Sequence, residues 1–482
     1  MNCVSAHGRA SAIPLRNPMP PKSRSPMNTT KPPLVHSNRP RRPPRRRGFR
    51  MSFDVSVSDL YKFISIAIYA VVLIVIGVLA SRRMKDLRDY YAGGKSLGFW
   101  SVAFSSRATG ESAWLLIGLT GFGATYGLKG LWIVLGELLG VGIAWLFMAK
   151  RFKKLTDRYD SVTVPDYLES RFRDSGQWLR LIAAGALVIF VPIYVSAQIH
   201  ASGQAFHDFL GMNYYIGALL GFAVVLAYIT QGGFIAVVWS DVFQGLLMVA
   251  GLVSLPIVGI AAMGGPSGVL DSLEASYPGL LTLHGGEGWT TRNIISIIGA
   301  CAIGLGFLGS PQVFVRFISL RSETEISKGA AVALIWTLLA DGGAVCVGLV
   351  GRALLTGDIG SNGEAVLPLM VDDLMHPLLA GVYIAIVLAA TMSTIDSLLV
   401  VASSAAARDY YQKHKHPELS DASLLSLSRK LTVVLAFVSL AIAMGVALVN
   451  HQQGVFWYII FGWSGIAATF CPVIILSLYW SR

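Results

Sequence analysis

The chain has 482 residues, 54% of them apolar and only 14% charged, with a mean hydropathy of +0.59, whereas an ordinary soluble domain is about 25% charged. These values exclude a soluble globular domain and describe a polytopic protein of the lipid bilayer. The net charge of +12 does not point to nucleic acid, because residues 1–50 hold 12 Lys or Arg and no acid, leaving 27 basic against 27 acidic residues in the remainder.

The basic tail at 1–50 is Pro- and Arg-rich, as in Arg39-Pro40-Arg41-Arg42-Pro43-Pro44-Arg45. It has no amphipathic period and no apolar signal region, so it reads as disorder. Met51 begins a more natural start, and the tail is expected to be an artefactual upstream extension. Eleven apolar runs follow, at 58–81, 99–127, 131–149, 178–206, 213–231, 236–263, 293–318, 329–356, 377–407, 429–449 and 455–480, each near the length a bilayer requires. The connections alternate in charge. Arg82 to Lys85, Lys150 to Lys154, Arg316 to Lys328 and Lys413 to Lys430 are basic; 264–292 has only Arg292, and 357–376 is acidic without Lys or Arg. By the positive-inside rule the first span runs from outside to inside, and Arg482 is cytoplasmic.

Setting the first span aside leaves two sets of five. The expected organisation is a tail (1–50), a leading helix with its basic cytoplasmic loop (51–98), a first five-helix repeat (99–264), an external loop (265–292) and a second five-helix repeat (293–482). Each set opens on an interrupted apolar segment, Arg107-Ala108-Thr109-Gly110-Glu111-Ser112 and Gly304-Leu305-Gly306-Phe307-Leu308-Gly309-Ser310-Pro311. Breaks in corresponding positions of two halves point to a transporter site near the bilayer midplane. The GxGxxG spelled by Gly304, Gly306 and Gly309 lacks the strand a dinucleotide fold needs.

In the ninth span Ala390, Ser393 and Thr394 stand at i, i+3 and i+4, so a carbonyl and two hydroxyls share one helix face. Unwinding at Gly110 is expected to free the carbonyls of Ala108 and Glu111 to face the same cation. The competing reading makes Ser393 and Thr394 interhelical glue. The Glu111 side chain, Glu137, Asp341 and Asp396 are carboxyls at membrane depth, candidates for coupling chemistry or for pairing with Arg107, Arg352 or a backbone amide. Asp241 stands where a simple helix cap is the plain alternative. Trp114 and Tyr194 are candidate walls of a solute cavity, or packing. Cys3, Cys301, Cys346 and Cys471 lie too far apart for a metal or disulfide framework, His414 and His416 make an unconvincing metal pair, and no enzyme motif is present.

Four strings then carry a resemblance: Thr163 to Tyr167 with Arg171-Phe172, Gly232 to Asp241 with Gln244-Gly245, Gly304 to Pro311 with Arg316-Phe317, and Ala389 to Ser404 with Asp409-Tyr410. From about residue 58 onward the chain resembles the sodium/solute symporters, most nearly their proline-carrying branch. The resemblance implies an all-α, five-plus-five inverted-repeat core with one extra N-terminal helix. It implies a co-transported sodium ion held by Ala108, Glu111, Ala390, Ser393 and Thr394. It places Trp114 and Tyr194 toward solute, and links Asp241 with sodium; Ile303 and Phe307 are further candidate solute contacts. Two positions depart from the branch: Gly110 replaces an Asp, and Ile303 replaces a Trp. The expected protein is a monomeric bacterial-type inner-membrane importer, not an enzyme, with a small-molecule solute and no nucleic acid. Proline or another amino acid is the expected solute. The alternatives are a carboxylate or pantothenate-like vitamin, a sensory module, and proton in place of sodium coupling.

Overall fold

The computed structural model describes residues 56–83, 87–360, 362–450 and 454–480; the basic tail and Arg482 lie outside them. Helix α1 (Val57–Ser81) starts on a Ser56/Asp59 capping box, and the short α2 (Leu87–Ala92) follows. α3 (Phe99–Ala113) continues through a π-helical turn at Trp114–Leu119 into α4 (Thr120–Tyr126), and α5 (Leu131–Ile143) through Ala144–Met148 into α6 (Ala149–Arg158). α7 (Val164–Phe172) is capped by the Thr163 hydroxyl and carries Pro165 in its first turn, where proline's missing N–H is harmless. α8 (Trp178–Leu210) and α9 (Tyr214–Ala262) complete the first half.

The second half begins after α10 (Pro266–Ser276) with α11 (Thr291–Ala302), a 3-10 stretch at Ile303–Leu308, and α12 (Pro311–Ser319). Then come α13 (Ile326–Leu354), α14 (Val366–Leu374), α15 (Pro377–Ser404), α16 (Asp421–Val449) and α17 (Val455–Tyr479). Among the described residues, nine helices are individually long and apolar enough to cross a membrane. Each of the eleven expected spans falls on helix, since Phe99–Arg158 contains two and the short Tyr214–Ala227 segment supplies another.

α15 is the axis of the molecule. It is buried without interruption from Tyr383 to Ser404 and packs against α1, α3, α8 and α9. An all-round apolar helix with so few charges has no face to give to solvent, so it takes the centre. α1 leans on α9 and α15, as expected of an added leading helix.

Two local expectations shift. The break in the second span is not at Gly110 but at Ser112, a non-glycine residue with φ 54° and ψ −168°, a conformation costing about 1–3 kcal/mol that its surroundings must impose. The fifth and sixth spans are not separated by a loop. They form one path turned at Gly233, with φ 53° and ψ −156°, where an added Cβ would lie 2.5 Å from the Tyr90 ring, so only glycine fits both the angle and the contact.

Candidate functional site

Where α15 crosses the broken helix α3, the two chains meet through oxygen. Ser393 Oγ donates to Ala108 O at 2.9 Å and is 3.2 Å from Ala390 O. Thr394 Oγ1 donates to Thr109 O at 3.0 Å and is 3.2 Å from Ala390 O. All five residues are buried. Each hydroxyl has one proton, divided between a carbonyl of α3 and the Ala390 carbonyl of its own helix. What remains is a ring of neutral oxygen lone pairs enclosed by apolar helix, a setting that suits a dehydrated hard cation. Of the five residues expected to hold an ion, Ala108, Ala390, Ser393 and Thr394 are brought together. Thr109, which the sequence reading did not single out, adds its carbonyl; the Glu111 side chain turns onto Arg107.

One turn deeper lies a charged cluster. Arg316, on α12, donates to Asp241 at 2.9 Å, to Ser105 Oγ at 2.8 Å and to Thr109 Oγ1 at 2.6 Å, and also reaches Ser397 Oγ. Ser105 Oγ donates to Asp241 at 2.5 Å, and Thr109 Oγ1 lies 3.3 Å from Ser393 O. Asp241 is therefore no helix cap: it lies eight residues past the Gly233 turn, wholly buried and ion-paired. Arg316, grouped with the cytoplasmic basic loop by its sequence neighbours, is wholly buried too. Thr109 belongs to both groups, so a shift of Arg316 is felt at the oxygen ring. Asp396 sits beside them, accepting from Ser397 Oγ at 3.2 Å.

The expected solute-side residues separate. Phe307 lies under Gly110, where a Cβ would meet its ring at 2.5 Å, and it packs tilted against Trp463 of α17 with centroids 4.9 Å apart. Trp463 also meets Tyr194 edge-on at 6.3 Å. Tyr194 and Phe307 thus share an aromatic wall facing the break, with Trp463 as a third member that the sequence reading missed. Trp114 lies apart, edge-on to Phe456 at 6.2 Å. Ile303 lies half-buried in a groove of about 380 Å³ between α11 and α17, and its carbonyl accepts from Trp463 Nε1 at 3.2 Å. The Trp absent at 303 is matched by a Trp reaching the same place from α17.

Behind Gly110, Glu111, Glu137 of α5 and Asp341 of α13 converge around Arg107, each fully buried. Asp341 does not pair with Arg352, whose guanidinium stacks on the Tyr277 ring at 4.1 Å.

A family profile described as the sodium:solute symporter family matches residues 90–482. The chain is 35% identical over 413 residues to the high-affinity proline transporter PutP of Bacillus subtilis (strain 168), covering 85% of both chains. It is 33% identical over 427 residues to the sodium/proline symporter of Escherichia coli (strain K12), covering 87% of this chain and 83% of that one. Among solved structures, a substrate-bound outward-open Na+-coupled sialic acid symporter aligns with TM-score 0.71 at 20% identity, covering 86% of this chain and 98% of that chain. MhsT in complex with L-phenylalanine aligns with TM-score 0.56 at 17% identity, covering 80% and 89%. These likenesses establish an inverted-repeat transporter core made of helices. With the family profile covering most of the chain and relatives above 30% identity along most of their length, this protein belongs to the sodium:solute symporter family.

Proposed function

We propose that this symporter imports proline, or another small amino acid, together with sodium bound in the ring formed by Ala108, Thr109, Ala390, Ser393 and Thr394. The observation that carries the reading is the meeting of both α15 hydroxyls with carbonyls of the broken helix. Relatives named as proline transporters support the choice of solute. The solute lies at the Ser112 break, against the wall of Tyr194, Phe307 and Trp463, where backbone N–H and C=O groups freed from the helix can hold its charged ends. Ala113 N is already turned to Gln198 Oε1 at 3.2 Å.

Sodium entry is favoured by about 2.3 kcal/mol per charge per 100 mV. Coupling follows if the bound ion ties α3 to α15 and so favours the arrangement in which the break is open to solute. Asp241 and Arg316 act on this junction through Thr109. The repeats span 99–264 and 293–482, and the protein works in the inner membrane of a bacterium with its C-terminus cytoplasmic, following the basic loops. Uptake of labelled proline, other amino acids and small carboxylates into proteoliposomes, with sodium or choline outside, tests this reading. Sodium-dependent accumulation of proline is expected; a solute preference outside the amino acids, or equal uptake in choline, would overturn it.

A further inference from the structure

The neutral ring leaves three carboxyls unused. Glu111, Glu137 and Asp341 come from three helices, are fully buried, and bring one oxygen each within 4.8 Å of the other two. Arg107 touches Glu111 and lies 3.7 Å from Glu137. Its guanidinium is spread over the Phe307 ring at 4.5 Å and faces Trp336 at 5.7 Å. Three carboxylates against one guanidinium leave two uncompensated negative charges when all are ionised, and uncompensated charge at this depth is strongly unfavourable.

A second observation points to an occupant. Neither oxygen of Glu137 nor of Asp341 accepts a hydrogen bond, although all four are enclosed. Buried carboxylate oxygens are ordinarily saturated with donors, and Arg107, already against Glu111, does not saturate these four, which leaves room for a second positive centre. The spacing admits a hard cation with oxygen distances of about 2.3–2.6 Å, but calcium takes six to eight oxygens, more than these side chains supply. A monovalent ion with few ligands fits better.

We propose that Glu111, Glu137 and Asp341 bind a second sodium ion, separate from the one in the oxygen ring. The proposal rests on the sodium-coupled reading above but not on the identity of the solute. Radioactive sodium binding at equilibrium to the purified full-length protein tests it, with wild type compared against Asp341→Asn, Glu137→Gln and Ser393→Ala/Thr394→Ala. Two ions per chain are expected in wild type and one in each variant. One ion per chain in wild type overturns the second site, a result that needs no variant to fold. Two ions retained by Asp341→Asn and Glu137→Gln, both monodisperse by gel filtration, overturn it as well. Two ions retained by the hydroxyl double variant instead refute the ring, which separates the two failures.

Discussion

Removing both α15 hydroxyls tests the oxygen ring in quantitative terms. In Ser393→Ala/Thr394→Ala, the carbonyls of Ala108 and Thr109 lose donors at 2.9 and 3.0 Å, and the ion loses two of its ligands. A hydrogen bond to a charged group contributes about 1.5–3 kcal/mol, so even half of that for each hydroxyl, about 1.5 kcal/mol for the pair, corresponds to at least a tenfold rise in the sodium concentration for half-maximal uptake. The assay is initial-rate uptake in proteoliposomes across a sodium series, at one solute concentration and equal protein loading. A parallel thermal melt separates lost sodium binding from lost fold, because orphaned carbonyls also destabilise the α3–α15 contact by about 1–3 kcal/mol each. Sodium dependence identical to wild type in a folded double variant would refute the ring.

Three other perturbations follow. Gly110→Asp drives a Cβ into the Phe307 ring, 2.5 Å away; overpacking of this kind costs about 1–3 kcal/mol, and adding Phe307→Ala should restore part of the melting temperature, whereas no recovery would contradict the close approach. Arg316→Ala strands the buried Asp241 and should lower stability by about 3–5 kcal/mol. The double variant with Asp241→Ala should lose less than the sum of the singles; strict additivity would argue against the pair. At the mouth of α17, Glu364 accepts from Val455 N and Phe456 N at 2.9 Å each. Burial pushes its carboxyl above the ordinary range against the pull of those amides. With the folded value raised, the fold is favoured with the carboxyl protonated, below the unfolded value of about 4.3, and loses that stability as pH rises through the folded value, although ionisation strengthens the two amide bonds themselves. The melting temperature should therefore fall with pH across that range more steeply in wild type than in Glu364→Gln; equal slopes would refute it.

The ring on α15 was legible because a helix puts i, i+3 and i+4 on one face whatever surrounds it, and glycine punctuated both broken spans, joined by Pro311 in the second. The position of the first break was not legible. Ser112 holds a positive φ that no local preference of serine supplies, so the tertiary setting around Gln198 and Tyr194 must impose it. Arg316 was hidden by its neighbours, since a basic residue at the start of a basic loop looks solvated until α12 turns it inward. Trp463 was hidden differently. Trp457 and Phe461 on the same helix are 63% and 66% exposed, and an apolar run does not distinguish an aromatic facing lipid from one facing the site. The place of Glu137 beside Arg107 was hidden because α5 packs backbone to backbone at Gly136 and Gly140, bringing the two together in a way that no spacing records.

The claim on which the account stands is that α3 and α15 jointly enclose an ion. Cryo-electron microscopy of the protein in sodium and in choline tests it most directly. The account predicts a spherical density, present only in sodium, in contact with Ala108 O, Ala390 O, Ser393 Oγ and Thr394 Oγ1. A well-resolved sodium map with those oxygens bonded only to one another, and the ion held elsewhere, would contradict it.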